Sequence, residues 1–362
     1  MESRRRNGCH RRSVLFWFLL GFLALQAAST VLLDCTCPEL YDPEYQRRLA
    51  TLRTRQDEAP ERPLLFVLGS SRTALAFRPE IMPSLRSSPG VTVLPFNFSH
   101  YGAGPLFDLM QMRRLLAEGV RPSWLVVEVL PAYFTYDGDA WIMLHAALWD
   151  YSLLRGYLPA WRLYGDYLKR RVKLAPRYPA ECLCRWQANW VRGGEASPLT
   201  AVCPLGGCPL LEKEIDEPAR RRRTDAAYEA LGRRLARFGI TPTAERATRE
   251  LLQLCQNEGI QVVLVITPEG TEYRSWYPSN AYACFVDWLT ELSGSYDVPL
   301  VDAHDWLTDA DFYDYHHVLE RGALRFTRRL TDDVLRPLVQ GQPVVGNAAQ
   351  KKMAGEVARK GS

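Results

Sequence analysis

Two stretches far apart in the chain carry side chains that could do chemistry together. One is Gly69-Ser70-Ser71-Arg72 and the other is Asp314-Tyr315-His316-His317. A serine hydroxyl becomes a nucleophile when a base takes its proton, and the base needs a third group to orient it and stabilise its charge. Asp314 and His317, three residues apart, can meet side by side and leave the second imidazole nitrogen facing the serine. Ser71 is the candidate nucleophile, with Ser70 as its rival. His317 completes Asp-x-x-His, and its neighbour His316 is the competitor. The chemistry implied is nucleophilic attack by an activated serine, although Gly-Ser-Ser alone also occurs in ordinary turns.

The elements that must position these residues read as alternating strands and helices. Leu64 to Leu68 is a short apolar run closed by Gly and Ser, the pattern of a buried parallel strand. Reactive groups in such sheets collect at the carboxyl ends of strands, where Ser71 falls. A short helix is expected from Pro79 to about Arg86, a strand over Val91 to Phe98, an amphipathic helix from Pro105 to Glu118 and a third strand over Trp124 to Leu130. From about Ala132 to Gly239 the rhythm breaks. That stretch is rich in Trp, Tyr and Arg, with four cysteines and the run Arg220 to Arg223. It reads as an insertion, a lid or a partner surface. The rhythm returns at Thr241, where Thr241-Pro242 or Thr243 caps a helix closed at Gly259. Gln261 to Thr267 is a fourth strand, Asn280 to Leu292 a helix and Pro299 to Asp302 a fifth strand. The fold class is therefore α/β, a flavodoxin-like three-layer αβα sandwich around a parallel sheet of about five strands.

The N-terminus adds a membrane element. Residues 1–12 carry five Arg and one Glu, a net of +4, and the whole chain is also +4, so the remainder sums to zero. The basic balance belongs to the head and gives no ground for nucleic-acid binding. Ser13 to Leu33 is 21 residues without a charge, long enough to span a bilayer. Flanking arginines hold its start in the cytoplasm, which puts the body on the extracytoplasmic side. Small residues at Ala27-Ala28-Ser29 leave a cleaved signal peptide as the competing reading. The expected organisation is a basic head (1–12), an anchor (13–33), a stalk (34–62), a first domain part (63–131), the insertion (132–240), a second domain part (241–340) and a disordered tail (341–362).

Gly-Ser-Ser-Arg early and Phe312-x-Asp314-x-x-His317-Val318-x-x-x-Gly322 late resemble the SGNH (GDSL-like) esterase and acyltransferase superfamily. They look most like its membrane-anchored, cell-envelope branch of D-alanyl-transfer and polysaccharide O-acetylation proteins. The resemblance covers roughly residues 63 to 131 and 241 to 335. It implies Ser71 as nucleophile, His317 as base and Asp314 as the group that holds His317, with no cofactor. It also implies oxyanion donors: the serine's own N–H, a Gly after the second strand and an Asn after the third. Gly102 or Gly104 can supply the second. The third is missing, because Glu128-Val129-Leu130-Pro131 stands where the Asn would be. Asn97 either substitutes for it or caps its own turn. Arg72 is a candidate for holding a substrate carboxylate or phosphate, or is a solvated turn residue.

Asp302, His304 and Asp305 form another acidic cluster, but no further metal ligand is evident and no metal is expected. Removing Cys9 from the nine cysteines leaves an even number on the exported side. Cys182, Cys184, Cys203 and Cys208 are expected to form two disulfides, with a zinc site as the alternative. Cys255 and Cys284 are expected to be buried thiols. The reading as a whole is an outward-facing esterase or O-acyltransferase acting on an acylated cell-envelope glycan or polymer, with a membrane acyl-transfer protein as a possible partner class. A non-catalytic envelope scaffold that keeps the fold is the alternative.

Overall fold

The structure, a computed structural model, describes residues 13–28, 42–82, 84–88, 90–135, 142, 146–163, 165, 203–207 and 212–344. Backbone contacts divide the chain into two compact units, 1–46 with 143–195 and 47–142 with 196–362. In the first unit a helix covers residues 13–28. No helix among the described residues is long and apolar enough to cross a membrane; positions 29–33 of the expected anchor lie outside them. A 3-10 turn at Leu148–Asp150 leads into a short helix at Tyr151–Leu154, and the Asp150 carboxylate accepts the Ala147 N–H at 2.7 Å.

The second unit is built on five parallel strands: β1 (Leu64–Leu68), β2 (Leu94–Asn97), β3 (Trp124–Glu128), β4 (Gln261–Ile266) and β5 (Leu300–Asp302). Their spatial order is β2-β1-β3-β4-β5, that of a flavodoxin-like doubly wound sheet. The chain leaves β1 toward β2 and then returns past it to β3, so the order reverses between β1 and β3. The carboxyl ends of those two strands form the crevice where such sheets gather ligands. β1 and β3 are buried along their whole length, as expected for strands covered on both faces.

Alternate residues of β1 serve the two faces. Leu65 and Val67 join a core with Val126, Val263, Val301 and with Phe326 and Leu330 of the helix Glu320–Leu330. Phe66 instead stacks on Phe96 and Phe98, with ring centroids 5.9 and 5.2 Å away. Two further helices, Pro105–Ala117 and Pro242–Asn257, pack on each other. The second begins as its sequence implies, with the Thr241 hydroxyl accepting the Ala244 N–H. A fourth long helix, Ala281–Tyr296, runs beyond its expected end at Leu292 to a left-handed Asp297.

Several expectations are corrected. Residues 43–58, within the expected stalk, form a helix. In its second-unit part Leu49 and Leu52 are buried, and the fully buried Arg48 donates to the Asn97 and Gly207 carbonyls. The i, i+3 spacing of the two leucines was masked by the charges around them. The helix expected from Pro79 is only a 3-10 turn, Pro79–Ile81. Residues 203–207 add a bridge outside β2, with Asn97 N–H donating to Leu205 and Gly207 N–H to the Asn97 carbonyl. Cys255 is buried, and burial pushes its thiol up to about 12. Cys284, by contrast, is exposed. Cys203 is half-buried, while Cys182, Cys184 and Cys208, like the expected tail beyond residue 344, lie outside the described residues.

Candidate active site

β1 delivers the nucleophile candidate. After Leu68 the chain turns at Gly69-Ser70 and enters a six-residue helix, Ser71–Ala76, whose N-cap is Ser70. The Ser70 hydroxyl accepts the Arg72 N–H at 3.2 Å, the ordinary task of an N-cap serine. Ser71 is thereby placed at the first helical position, where its own N–H has no intrahelical acceptor. Gly69 is required by packing rather than by backbone angle. A Cβ there would lie 2.6 Å from the Glu128 Cβ and 2.7 Å from its Oε2.

The acid and base candidates come from a tight turn after β5. Phe312 and Val318 pair across it, Tyr313 N–H donates to the His317 carbonyl, and Leu319 N–H donates to the Asp311 carbonyl. Asp314 closes the turn from inside, its Oδ1 accepting the N–H groups of His316 at 3.1 Å and His317 at 2.6 Å. At the tip Tyr315 adopts a left-handed φ of 62°, an uncommon conformation for a non-glycine residue and a frequent companion of functional sites. Its carbonyl accepts the Gly270 N–H, and a Cβ on Gly270 would lie within 3.0 Å of Tyr315 Cα. Gly270 is what lets β4's exit loop approach so closely.

These elements bring Ser71, His317 and Asp314 into one chain of hydrogen bonds. Ser71 Oγ lies 2.8 Å from His317 Nε2, and His317 Nδ1 lies 2.7 Å from Asp314 Oδ2. A carboxylate only accepts, so Nδ1 carries the proton and Nε2 is left to accept from the serine hydroxyl. Burial alone would raise the Asp314 carboxyl, but His317 and His316 and their hydrogen bonds outweigh it and hold the group well below the usual carboxylate range. The His316 ring lies against that of His317, with centroids 3.9 Å apart and planes tilted by 44°, and stacks on Tyr273 with centroids 5.3 Å apart. Burial first, and His317 second, lower its imidazole to about 4. His316 is therefore neutral at pH 7. Donor atoms of Asp314, His316 and His317 lie within 4.8 Å of one another, a closeness that their mutual hydrogen bonds already explain.

Other site candidates have different surroundings from those anticipated. Asn97 is fully buried; its amide donates to the Thr73 and Phe77 carbonyls and its Oδ1 accepts the Ser99 N–H. It closes the end of the Ser71 helix and its own turn, and has no donor left for an oxyanion. Arg72 is 4% exposed and points inward. It pairs with Glu269 at 3.1 Å and donates to the Thr267 and Pro268 carbonyls, which makes it part of a buried ion pair and not a solvated turn residue. Gly102 and Gly104 lie in the loop after β2, which His100 N–H ties to the Gly69 carbonyl at 2.8 Å. Asp302 and His304 form a separate pair at the end of β5, Nδ1 to Oδ1 2.6 Å, with Tyr282 donating to the same oxygen.

Two residues escaped the sequence reading. Glu128, known only as the place of a missing Asn, accepts the Ser70 N–H and the Thr267 hydroxyl. Glu269 stands in an unremarkable Pro-Glu-Gly turn, and nothing local indicates that its partner is Arg72. Chemically, the site has a serine at a helix start, a base aimed at it and a buried carboxylate fixing the base. That set can move one proton between Ser71 and a leaving or incoming oxygen.

A protein-family model that carries no description matches residues 239–338, which is less than half of the chain. No curated protein is significantly similar in sequence. Among solved structures, the chain is similar to a Bacteroides fragilis protein described as an acylhydrolase, at 11% identity and TM-score 0.37 over 79% of this chain and 95% of that one. It is also similar to TesA, at 14% identity and TM-score 0.35 over 76% of this chain and 99% of that one.

Proposed function

We propose that the protein is a serine-dependent esterase or O-acyltransferase, held by an anchor at residues 13–33 with its site on the extracytoplasmic side. Its substrate would be an acyl ester of a cell-envelope glycan or related polymer. The observation that carries the chemical part is the Ser71 Oγ to His317 Nε2 distance of 2.8 Å, with Asp314 2.7 Å from Nδ1. The location is supported by the arginine-flanked apolar run, and the substrate class by the motif resemblance.

In this reading Ser71 Oγ attacks the acyl carbonyl while its proton passes to His317 Nε2. The Asp314 carboxylate keeps Nδ1–H in place and stabilises the imidazolium without taking its proton. The tetrahedral intermediate collapses as the leaving alcohol oxygen recovers the proton from Nε2, leaving the acyl group on Ser71. Water or an acceptor hydroxyl then attacks the acyl carbonyl as its proton passes to Nε2, and the acyl–Ser71 bond breaks as Ser71 Oγ recovers the proton from Nε2. Ser71 N–H, with a backbone N–H of the Gly102–Gly104 loop, would receive the oxyanion.

A fluorophosphonate probe tests this without a known substrate. Ser71 Oγ displaces fluoride from phosphorus and its proton goes to His317. Wild type should be labelled at Ser71, and Ser71→Ala and His317→Ala should not be. Labelling that persists in Ser71→Ala and vanishes in Ser70→Ala would move the nucleophile by one residue. No labelling of any variant would favour a non-catalytic scaffold.

A further inference from the structure

The helix Glu217–Ala227 carries Arg220 and Arg223 three residues apart, hence on one face. Arg223 Cζ lies 5.0 Å from the Tyr313 ring centroid, and Arg220 Cζ lies 5.9 Å from that of Tyr315. Tyr313 in turn stacks on His317, with centroids 5.5 Å apart and planes within 14°. The guanidinium and the imidazole thus both lie against one phenol ring. The chain ahead of the helix is fastened nearby: Glu212 pairs with Arg223 through its side chain and accepts the Glu320 N–H through its carbonyl. Burial first, then Asp314, push the Tyr313 phenol up, so this ring is neutral. Charged and titratable groups acting on it are Asp314, Tyr101, Arg223 and Glu212.

We propose that Arg223, acting through Tyr313, is a positioning residue for His317. The inference rests on His317 being the base for Ser71. Asp314 holds Nδ1 and Ser71 meets Nε2, but both bonds lie in the ring plane and leave the ring able to twist about the line joining them, so the rings packed against it, Tyr313 and His316 (centroid 3.9 Å away), limit that twist. The Tyr313 face sets that plane, and the cation over Tyr313 holds the phenol in place. With the plane set, Nε2 stays on the Ser71 hydroxyl. The Arg223 side chain is 42% exposed, which puts the effect at the lower end for cation–ring contacts, a factor of about three to five.

The test uses the full chain in detergent and fluorophosphonate inactivation, separating the limiting rate kinact from the half-saturation constant KI. Arg223→Gln should lower kinact about three- to fivefold with KI unchanged, and Arg223→Lys should restore most of it. Tyr313→Phe keeps the ring and should stay near wild type, whereas Tyr313→Leu should lose more than Arg223→Gln. Arg222→Gln, exposed on the same helix, is the unaffected control. An unchanged kinact, a change confined to KI, or a loss that follows the melting temperature without rescue by Lys would overturn the proposal. A second readout needs no labelling: His317 ring resonances, assigned by their loss in His317→Ala, should shift in Arg223→Gln and return in Arg223→Lys. If wild type fails to label, the nucleophile reading falls, and ring resonances identical in Arg223→Gln would overturn the positioning separately.

Discussion

The Glu128 carboxylate, at the end of β3, accepts the backbone N–H of Ser70 at 2.5 Å, one residue ahead of Ser71. Its other oxygen accepts the Thr267 hydroxyl at 2.9 Å. One side chain therefore joins the ends of β1, β3 and β4 at the point where the strand order reverses. The contact leaves no room for a side chain on Gly69.

Gly69→Ala should consequently push Glu128 away and distort the turn that presents Ser71. Overpacking of this kind costs about 1–3 kcal/mol. Denaturant titration should show the loss of stability, and probe labelling at Ser71 should slow by more than the unfolded fraction explains. A variant as stable and as reactive as wild type would refute the close approach.

Arg72→Ala would leave Glu269 buried beside an empty space, and removing one partner of a buried pair costs about 3–5 kcal/mol. The double variant Arg72→Ala, Glu269→Ala should be more stable than Arg72→Ala alone. Additive losses in the two would mean that the pair is not coupled.

The acid response follows from His316. Its folded-state value near 4 lies below the ordinary 6.5, so the unfolded chain binds more protons between those limits. Stability is greatest above pH 6.5 and falls as pH drops toward 4, with a slope of up to about 1.4 kcal/mol per pH unit. Asp314, held low, adds a loss at more acid pH as its carboxylate is protonated. Thermal melts from pH 7.5 to 4 should show this slope, and His316→Phe should flatten it. An unchanged slope in that variant would assign the acid sensitivity elsewhere.

Ser71, His317 and Asp314, if they act as a unit, should be strongly non-additive. Ser71→Ala and His317→Ala should each lower the rate of hydrolysis of an activated aryl ester about a hundredfold or more, and the double variant should be scarcely worse. Asp314→Ala should cost less than either, because it orients without reacting. Multiplicative losses in the double variant would show independent roles.

A reporter fused after residue 60 should sit on the extracytoplasmic side and stay in the membrane fraction. Recovery of soluble mature protein beginning near Ser29 would replace the anchor by a cleaved signal, with export intact.

Much of the frame was legible because it is written locally. The apolar runs of β1, β3 and β4 need only their own residues to declare a buried strand, and Asp314-x-x-His317 closes its own turn. What was illegible depends on distant partners. Arg72 reads like any exposed turn arginine until Glu269, 197 residues on, supplies its counter-charge. Asn97 looks free until the Ser71 helix ends against its amide. Arg48 looks like a stalk residue until the Asn97 and Gly207 carbonyls accept from its guanidinium. Cys284 failed differently: helix membership was right, but its position is turned about 100° from Phe285 and off the face that buries Phe285 and Leu289.

The outer rim of β2 has a consequence for self-association. N–H groups of Leu94 and Phe98 turn toward β1 and its lead-in residue, so positions 95 and 97 turn outward. Position 95 is a proline with no hydrogen to donate, and Asn97 already donates to Leu205. The opposite rim, β5, is only three residues long. Short strands, prolines and covering segments are how sheets avoid pairing with copies of themselves. Among the described residues neither side of this sheet offers a run of donors to a further strand, so crowding would not by itself zip neighbouring molecules together.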